Sequence, residues 1–421
     1  MRIVVIGAGL IGVATAWYLA ERGHEVTVLD RNPAPGEGAS FANGALLTPS
    51  TSDSWAAPGT PLKILRWLGQ EEAPMLLRPR ALPGMLDWAL RFLRECREER
   101  WKANTRATFA LARFSLEALD RLVAEQALEF DRNPSGLIKL FRDPLSMDSA
   151  VRASRLYAEL GYPLRALDAG ECLIEEPALL PIRERIAGGI LYPLDGSGDA
   201  LGFVRALARK CEARGVAFRQ SVSVEGFERS GTLRSVATNA GTIRGDAFVL
   251  AAGADSTLLA RWLGLRLPVY PAKGYSITVR HGGWNRAPRR PVVDDGRKAA
   301  LVPLGDRIRV AGTVELAGWS TSLNATRGRM LEDALRDLLP ELPATAGRPT
   351  HWAGLRPMTP DGRPILGRSP IANLFLNTGH GPLGWTLACG SGLALADLVG
   401  GGDPGLDLAP YAWPRPEGGF N

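Results

Sequence analysis

The fold of this 421-residue chain is decided by residues 2–12, which read RIVVIGAGLIG. The first five form a short apolar run, typical of a buried parallel strand. The glycines that follow have the spacing G-x-G-x-x-G, and an amphipathic stretch runs from Ile11 to about Glu21, where Gly23 ends it. A second apolar run, residues 25–29, ends at Asp30. The pattern predicts a strand–helix–strand unit with a glycine-rich turn.

The turn in this unit is suited to the pyrophosphate of a dinucleotide. Gly7 permits the tight turn, Gly9 lets the backbone approach the phosphates, and Gly12 lets the helix pack closely on the strand. The helix N-terminus adds free N–H groups and a partial positive charge. Asp30 can accept a hydrogen bond from a ribose 2′-hydroxyl, which favours FAD or NAD over NADP. Arg31 is either a further cofactor contact or a solvated surface charge.

Composition excludes several classes of protein. The chain is 45% hydrophobic and long enough for two or three domains. Its four cysteines lie far apart and only four histidines are present, so neither a disulfide scaffold nor a metal site is expected. The net charge of +6 includes no basic block with interleaved aromatics, so no nucleic-acid binding is expected. We also expect no bilayer-spanning helix, because no apolar run of 18 residues occurs. We expect no secretory signal, because Met1 leads straight into a strand pattern.

Two later segments repeat the strand-and-helix character of the N-terminus. The first contains a helix, a strand and a buried strand, at residues 200–214, 216–224 and 246–254. The second contains a strand, a glycine-rich loop and a helix, at residues 374–377, 378–384 and 385–398. The dipole of this last helix could stabilise negative charge on a reduced flavin. These segments predict a doubly wound α/β sheet, a Rossmann-like dinucleotide-binding domain.

The remaining segments predict a second, α+β substrate domain built on an antiparallel sheet. Residues 265–320 alternate in polarity around a hairpin turn at residues 304–306, and a helix is expected over residues 327–339. Residues 61–130 are largely helical and apolar with arginines nearby, which fits either core helices or contact with a membrane interface. The predicted division assigns residues 1–60, 190–262 and 356–412 to the FAD-binding domain, and residues 61–189 and 263–355 to the substrate or cap domain.

Several motifs carry a resemblance to a known family. The sequence resembles the bacterial FAD-dependent D-amino acid dehydrogenases of the small-subunit type, within the D-amino acid oxidase family, over nearly its whole length. The matching stretches are residues 5–14, 17–19, 41–43, 55–59, 269–276, 354–362 and 376–386. Gly44 stands where the family has alanine, and Leu46-Leu47 replace a more polar stretch. These two differences bear on substrate preference more than on the cofactor.

The resemblance implies that the dinucleotide-binding domain is a Rossmann-like FAD-binding domain of the glutathione-reductase type. It implies bound FAD and oxidation of a D-amino acid to an imino acid that hydrolyses to a 2-oxo acid. It implies that electrons pass to a quinone or another respiratory acceptor. It also implies peripheral contact with the cytoplasmic side of a bacterial inner membrane, or else a cytoplasmic location. Alternatives are oxidation of a cyclic secondary amine such as D-proline or hydroxy-D-proline, an oxygen-using D-amino acid oxidase, an NAD-dependent dehydrogenase and a non-enzymatic electron relay.

Few residues need to carry the chemistry, because a flavin supplies the difficult step. Arg356, in the Gly-Leu-Arg-Pro motif, is the candidate anchor for the substrate carboxylate, since a guanidinium can donate two parallel hydrogen bonds. Tyr275 and His380 are further candidates for positioning the substrate, and Lys273 for approaching the flavin. Cys389 is interpreted as a packed apolar residue. The predicted cofactor-binding residues are Ile6, Gly7, Ala8, Gly9, Leu10, Ile11, Gly12, Asp30, Arg31, Ser40, Asn43, Gly44, Val222, Gly253, Gly381, Gly384, Trp385 and Thr386.

Overall fold

The two apolar runs at the N-terminus become neighbouring parallel strands in a six-stranded sheet, as the sequence predicts. The computed structural model of the chain describes residues 1–415. The first strand of the sheet pairs antiparallel with the second, and the other pairs are parallel. In spatial order the strands are β19 (Ile365–Arg368), β20 (Leu374–Thr378), β13 (Ala247–Leu250), β1 (Arg2–Ile6), β2 (Glu25–Leu29) and β9 (Ala217–Arg219).

A second, nine-stranded sheet is mixed. Residues 270–280 and 299–316 form antiparallel strands, and a hairpin turn at Gly305-Asp306 joins two of them, as predicted. In spatial order the strands are β18 (Thr350–Met358), β14 (Tyr270–Arg280), β17 (Arg307–Leu316), β16 (Ala299–Leu304), β15 (Val292–Asp294), β5 (Leu137–Phe141), β7 (Gly188–Tyr192) and β6 (Arg165–Leu167), while β4 (Met75–Leu77) pairs with β17.

Two small sheets complete the strands of the described residues. A three-stranded antiparallel sheet contains β10 (Val224–Ser230), β11 (Thr232–Thr238) and β12 (Gly241–Arg244), and β3 (Leu46–Leu47) pairs with β8 (Gly196–Ser197). The sequence predicts one strand over residues 216–224, but β9 ends at Arg219. The chain turns there because Ser221 has a positive φ of 56° and the Val222 N–H donates to the Asp30 carbonyl, 2.9 Å away.

The helices fill the space around both sheets. They are α1 (Leu10–Glu21), α2 (Thr60–Trp67), α3 (Leu82–Glu95), α4 (Glu98–Gln126), α5 (Pro144–Glu159), α6 (Ala169–Glu175), α7 (Ala200–Ala213), α8 (Ser256–Trp262), α9 (Ala325–Leu338) and α10 (Gly384–Gly400). The predicted division puts α4 in the cap domain, but its buried face, including Leu111 and Leu119, shares one core with α1 and α10. The strands β7 and β18 also cross the predicted boundaries at residues 189/190 and 355/356.

The last helix is packed against two others at glycines. A Cβ at Gly390 would lie 2.7 Å from Ser115 Cα of α4, and a Cβ at Gly392 would lie 2.9 Å from the Ala14 carbonyl carbon of α1. By length and composition alone, Gly381–Gly400 could cross a membrane, which the sequence expectation overlooked. Most of this segment is buried inside the protein, and Cys389 packs there as an apolar residue. Its composition is therefore typical of a core helix.

Candidate active site

One large cavity lies where the carboxyl ends of β1, β2, β13 and β20 face strands β17 and β18 of the second sheet. Its volume is about 1240 Å³, larger than the ~300–1,000 Å³ of ordinary small-molecule sites. Open parallel sheets bind ligands at the carboxyl ends of their strands. Of the predicted cofactor-binding residues, those that line the cavity are Ile6, Gly7, Gly9, Leu10, Ile11, Asp30, Arg31, Ser40, Asn43, Gly44, Val222, Gly253, Gly381, Gly384, Trp385 and Thr386.

Ala8 and Gly12 do not line this cavity, but the glycine at position 12 closes the turn. A Cβ at Gly12 would lie 1.8 Å from the Gly7 carbonyl oxygen. Gly7 itself has a positive φ of 113°, and a Cβ there would lie 2.5 Å from the Ala251 carbonyl oxygen. Neither position has room for a side chain. The turn therefore brings the N-terminus of α1, which begins after Gly9, to the cavity wall, where the Leu10 N–H donates to the Ser40 hydroxyl at 3.1 Å.

The carboxylate that ends β2 holds this turn in place. Asp30 accepts hydrogen bonds from the Ala8 N–H at 2.6 Å and from the Asn32 N–H at 2.8 Å. It lines the cavity at the position where a ribose hydroxyl is bound in a dinucleotide site. Arg31 also lines the cavity, but its exposed guanidinium pairs with Asp255 at 2.8 Å. The role predicted for Asp30 is thus compatible with its position.

The second glycine-rich loop fixes the N-terminus of α10 against the same cavity. The Thr386 hydroxyl accepts a hydrogen bond from the Thr48 N–H at 3.0 Å, and the Trp385 indole N–H donates to the Gly198 carbonyl at 2.9 Å. No side chain caps α10 at Leu383. The positive end of a buried, 17-residue helix is therefore available to a polar or anionic group in the cavity.

His380, in the same loop, lines the cavity from a buried position. Its Nε2 lies 3.0 Å from the Ser391 hydroxyl. Burial lowers the pKa of His380 to about 3, so the imidazole is neutral at physiological pH. It can orient a ligand through a hydrogen bond, but it does not supply positive charge.

Arg356 supplies that charge from the β18 strand. Its side chain lies over Gly274 of the neighbouring strand β14, where a Cβ would stand 2.6 Å from Arg356 Nε. Among residues 1–415, no carboxylate lies within salt-bridge distance of the guanidinium, which lines the cavity. Burial lowers its pKa to about 10, which leaves it protonated at neutral pH. A half-buried cation that has no counter-ion among the described residues is suited to an anionic ligand.

The structure does not bring Tyr275 and Lys273 to this cavity. Alternate residues of a strand face opposite sides of a sheet, and both side chains point away from the Gly274 face. The Tyr275 hydroxyl donates to Glu315, and Lys273 Nζ lies 2.9 Å from the same carboxylate. Burial alone would raise the pKa of Glu315, but hydrogen bonds from Tyr275, Lys273 and Arg78 lower it to about 2. Tyr275 is therefore not placed to contact a substrate in the cavity, and Lys273 is not placed to contact a flavin there.

Sequence reasoning missed Trp352, whose side chain belongs to the cavity wall. Trp352 folds back along β18, so that a Cβ at Gly354 would lie 2.3 Å from its ring. Gly354 is the register partner of Gly274, so the indole and the Arg356 side chain cover a facing pair of glycines. The two glycines are far apart in the sequence, so this pair is recognised only once the strand pairing is known.

The residues present fit FAD. The glycine turn, Ser40 and Asp30 would hold its adenosine diphosphate part, and the loop before α10 would hold its ring system. The carbonyl oxygen of the Asn377 side chain, on β20, is buried at the cavity wall without a hydrogen-bond partner in the described chain, and a polar ligand would satisfy it. A mostly parallel sheet with this turn, together with a large cavity shared with a second sheet, is typical of the dinucleotide-binding flavoprotein oxidoreductases.

Comparison with known proteins identifies the family. The model of the DAO family, described as FAD dependent oxidoreductase, matches residues 2–398, and the chain belongs to this family. It is 46% identical over 403 residues to a D-amino acid dehydrogenase of Paramagnetospirillum magneticum, covering 95% of each chain. It is 42% identical over 416 residues to a D-amino acid dehydrogenase of Rhizobium johnstonii, covering 99% of this chain and all of the relative.

Solved structures agree with the fold. Glycine oxidase from Geobacillus kaustophilus matches with a TM-score of 0.76 and 27% identity, covering 98% of this chain and 99% of that chain. L-proline dehydrogenase from P. horikoshii matches with a TM-score of 0.73 and 20% identity, covering 96% of each. The chain is therefore an FAD-dependent oxidoreductase with a Rossmann-like FAD-binding fold and a second, α+β part.

Proposed function

We propose that this chain is an FAD-dependent dehydrogenase that oxidises D-amino acids to imino acids, which hydrolyse to 2-oxo acids and ammonia. The observation that carries this proposal is the position of Arg356, a half-buried cation at the cavity with no carboxylate beside it among residues 1–415. The 40–46% identical relatives named D-amino acid dehydrogenase support the substrate class.

The residues of the chain bind and orient the substrate in this account. Arg356 binds the α-carboxylate through two parallel hydrogen bonds, which fixes the Cα–H bond relative to the cavity wall. His380, neutral and anchored to Ser391, orients a ligand without adding charge. Bound FAD would supply the acceptor for the hydride of the substrate α-carbon. A dedicated general base is not needed if the substrate amine has lost its proton before oxidation.

The direct test is product formation with an artificial electron acceptor. We expect equimolar 2-oxo acid and ammonia from D-alanine, D-methionine and D-phenylalanine, and no product from their L-enantiomers. Oxidation of D-proline alone would replace the proposal with a cyclic secondary amine as substrate. Rapid hydrogen peroxide formation in air, without the acceptor, would indicate an oxidase instead.

We further propose that a quinone or another respiratory acceptor takes the electrons at a membrane surface. Support comes from leucines on the outside of α2 and α3. On α3, residues spaced by three or four positions form one exposed stripe, while Met85 and Phe92 on another face are buried. The exposed leucines of the two helices and the residue after α2 are Leu62, Leu65, Leu68, Leu82, Leu86, Leu90 and Leu93. Exposed apolar stripes of this kind mark interaction surfaces.

The charges around these leucines favour an anionic lipid surface at the cytoplasmic side of a bacterial inner membrane. Arg66 is exposed on α2. Three further arginines are exposed at the end of α3 or just after it, namely Arg91, Arg94 and Arg97. Lys63 and Trp67, on another face of α2, line the large cavity. A membrane bound by the leucines of α2 would therefore lie close to an entrance of the cavity, where a lipid-soluble acceptor could enter.

Vesicle sedimentation tests the membrane proposal. We expect the purified protein to bind vesicles with 30% phosphatidylglycerol more strongly than vesicles of phosphatidylcholine alone. The double variant Leu86→Glu/Leu90→Glu should lose binding and keep its activity with a soluble acceptor. Leu145→Glu is the control, because Leu145 is even more exposed, at 79% against 59% for Leu86 and 62% for Leu90, but lies on α5. Equal binding of the double variant and the control would contradict the assignment of this surface.

A further inference from the structure

Thr313 has a backbone conformation that its residue type disfavours. It is the extra residue of a β-bulge on β17, because Gly274 pairs with Val314 while Tyr275 pairs with Gly312. Its φ is +55°, in the left-handed region that glycine normally occupies at such a bulge. A β-branched residue there is a genuine outlier. Strain of this kind persists where the structure enforces it, and it is concentrated at functional sites.

The Thr313 side chain also lacks a partner. Its hydroxyl is buried at the wall of the large cavity and makes no hydrogen bond within the described chain. Leaving a buried hydroxyl unsatisfied is costly, so the observation needs an explanation. A ligand in the cavity would provide one.

The bulge brings this hydroxyl to the surroundings of Arg356. Val314, the next residue, is the register partner of Gly274, and the Arg356 side chain lies over Gly274. Thr313 on β17 and Arg356 on β18 therefore line the same cavity from either side of β14. Within residues 1–415, the hydroxyl has no hydrogen-bond partner and the guanidinium has no carboxylate beside it. The hydroxyl of Tyr275, the sequence-based candidate for this role, is occupied by Glu315 on the other face of the sheet.

We propose that Thr313 is a substrate-binding residue whose hydroxyl donates a hydrogen bond to the carboxylate held by Arg356. This inference rests on the proposed function for the identity of the substrate. A carboxylate has four lone-pair directions, so it can accept two hydrogen bonds from a guanidinium and a third from a hydroxyl. The proposal explains why a threonine occupies a position where glycine would relieve the strain.

Binding of small probes tests the proposal without turnover. Propanoate and propylamine are titrated into the FAD-loaded protein, and the dissociation constants are read from the change in flavin absorbance. We expect Thr313→Val to weaken propanoate binding about tenfold, because it keeps the shape and loses the donor. Thr313→Ser keeps the donor, so its dissociation constant for propanoate should lie within about threefold of that of the wild type. Propylamine binding should not change in either variant.

Glycine at the same position separates function from strain. We expect Thr313→Gly to raise Tm by relieving the left-handed conformation, and to weaken propanoate binding as Thr313→Val does. Ala127→Gly is the control for strain, because Ala127 has a φ of +49° at the end of α4 and does not line the cavity. It should raise Tm and leave propanoate binding unchanged.

The outcomes distinguish this inference from the proposed function. If Thr313→Val and Thr313→Gly bind propanoate as the wild type does, the inference is wrong and Thr313 has only a structural role. If the two variants weaken the binding of propylamine and leave that of propanoate unchanged, the hydroxyl contacts another group and the inference is again wrong. If the wild type binds propanoate through Thr313 but no D-amino acid reduces the flavin, the proposed function fails and the carboxylate site stands.

Discussion

The guanidinium of Arg356 lies directly over the backbone of Gly274. A methyl group at position 274 would stand 2.6 Å from Nε and 3.0 Å from Cζ. The two residues are on neighbouring antiparallel strands, with Ala272 as the register partner of Arg356. The glycine lets the long side chain lie along the sheet instead of projecting across the cavity. The direction of the cationic anchor is therefore determined by a residue that carries no functional group.

Replacing this glycine should impair substrate binding without removing the charge. We expect Gly274→Ala to displace the guanidinium and to raise KM for D-amino acids by about tenfold or more, since a misplacement of about 1 Å can cost a hundredfold. Steady-state kinetics with a soluble acceptor measure the effect. Gly226→Ala is a matched control on strand β10, where a Cβ would meet only Ala237 Cβ at 3.9 Å. Equal KM values for the two variants would show that the Gly274 contact is unimportant.

Charge alone should not replace the anchor. Arg356→Lys keeps a cation but loses the planar pair of donors, and we expect kcat/KM to fall by about a hundredfold, equivalent to roughly 2.7 kcal/mol. The flavin content of the purified variant should be unchanged. A variant with wild-type kcat/KM would remove Arg356 from the substrate site.

The phenol of Tyr275 should matter for stability and not for substrate binding. Tyr275→Phe leaves the buried Glu315 without one of its donors, and removal of a hydrogen bond to a charged group costs about 1.5–3 kcal/mol. Chemical denaturation measures this loss, while KM should change less than twofold. A large rise in KM with unchanged stability would return Tyr275 to the substrate site.

The cofactor turn should not tolerate a side chain at its closest contact. In Gly12→Ala the new methyl group would meet the Gly7 carbonyl oxygen at 1.8 Å, so α1 must move away from β1. We expect FAD content after purification to fall more than tenfold. Gly23→Asn is the control, because Gly23 ends the same unit with a positive φ of 76°, which asparagine tolerates, and has no neighbour within 4 Å. Full FAD occupancy in Gly12→Ala would contradict the packing described above.

One buried carboxyl should make stability depend on pH. Burial raises the pKa of Asp195 from 3.8 to about 7, although Ser50 and Tyr162 donate hydrogen bonds to it. The folded protein therefore holds this proton more tightly than the unfolded chain, so the stabilisation is complete below about pH 4 and is lost as pH rises through 7.

The variant Asp195→Asn, which cannot ionise, isolates this effect. We expect the unfolding free energy of the wild type, relative to that of the variant, to fall between pH 4 and 7 by up to about 1.4 kcal/mol for each pH unit. Urea denaturation at several pH values measures it. A difference that stays constant across this range would show that Asp195 is ionised in the folded protein.

Local patterns in the sequence were sufficient for the cofactor turn. The tasks of Gly7 and Gly12 depend on neighbouring residues of one strand–helix unit, and the structure gives both the close contacts expected of them. The same holds for α10 and its glycine-rich loop, since the strand, the loop and the helix are consecutive. The resemblance to the D-amino acid dehydrogenases directed attention to Arg356, which composition and periodicity would not have distinguished from the other arginines.

Features that depend on strand register could not be predicted in this way. Lys273, Gly274 and Tyr275 are consecutive, and only the pairing with β17 and β18 determines that Gly274 faces the Arg356 side chain while its neighbours face Glu315. The left-handed bulge at Thr313 likewise arises where β17 changes partners from β16 to β4. The position of α4 in the core of the nucleotide-binding helices depends on contacts between segments that are far apart in sequence.

The most direct test of the proposed function is anaerobic reduction of the bound flavin. Purified protein is mixed in a stopped-flow instrument with single D-amino acids, with their L-enantiomers and with D-proline, and the loss of flavin absorbance is followed. The account predicts complete bleaching by several D-amino acids, none by L-amino acids, and a reduction at least a hundredfold less efficient in Arg356→Lys. The account would be contradicted if no D-amino acid reduced the flavin. It would also be contradicted if D-amino acids reduced the flavin of Arg356→Lys at the wild-type rate.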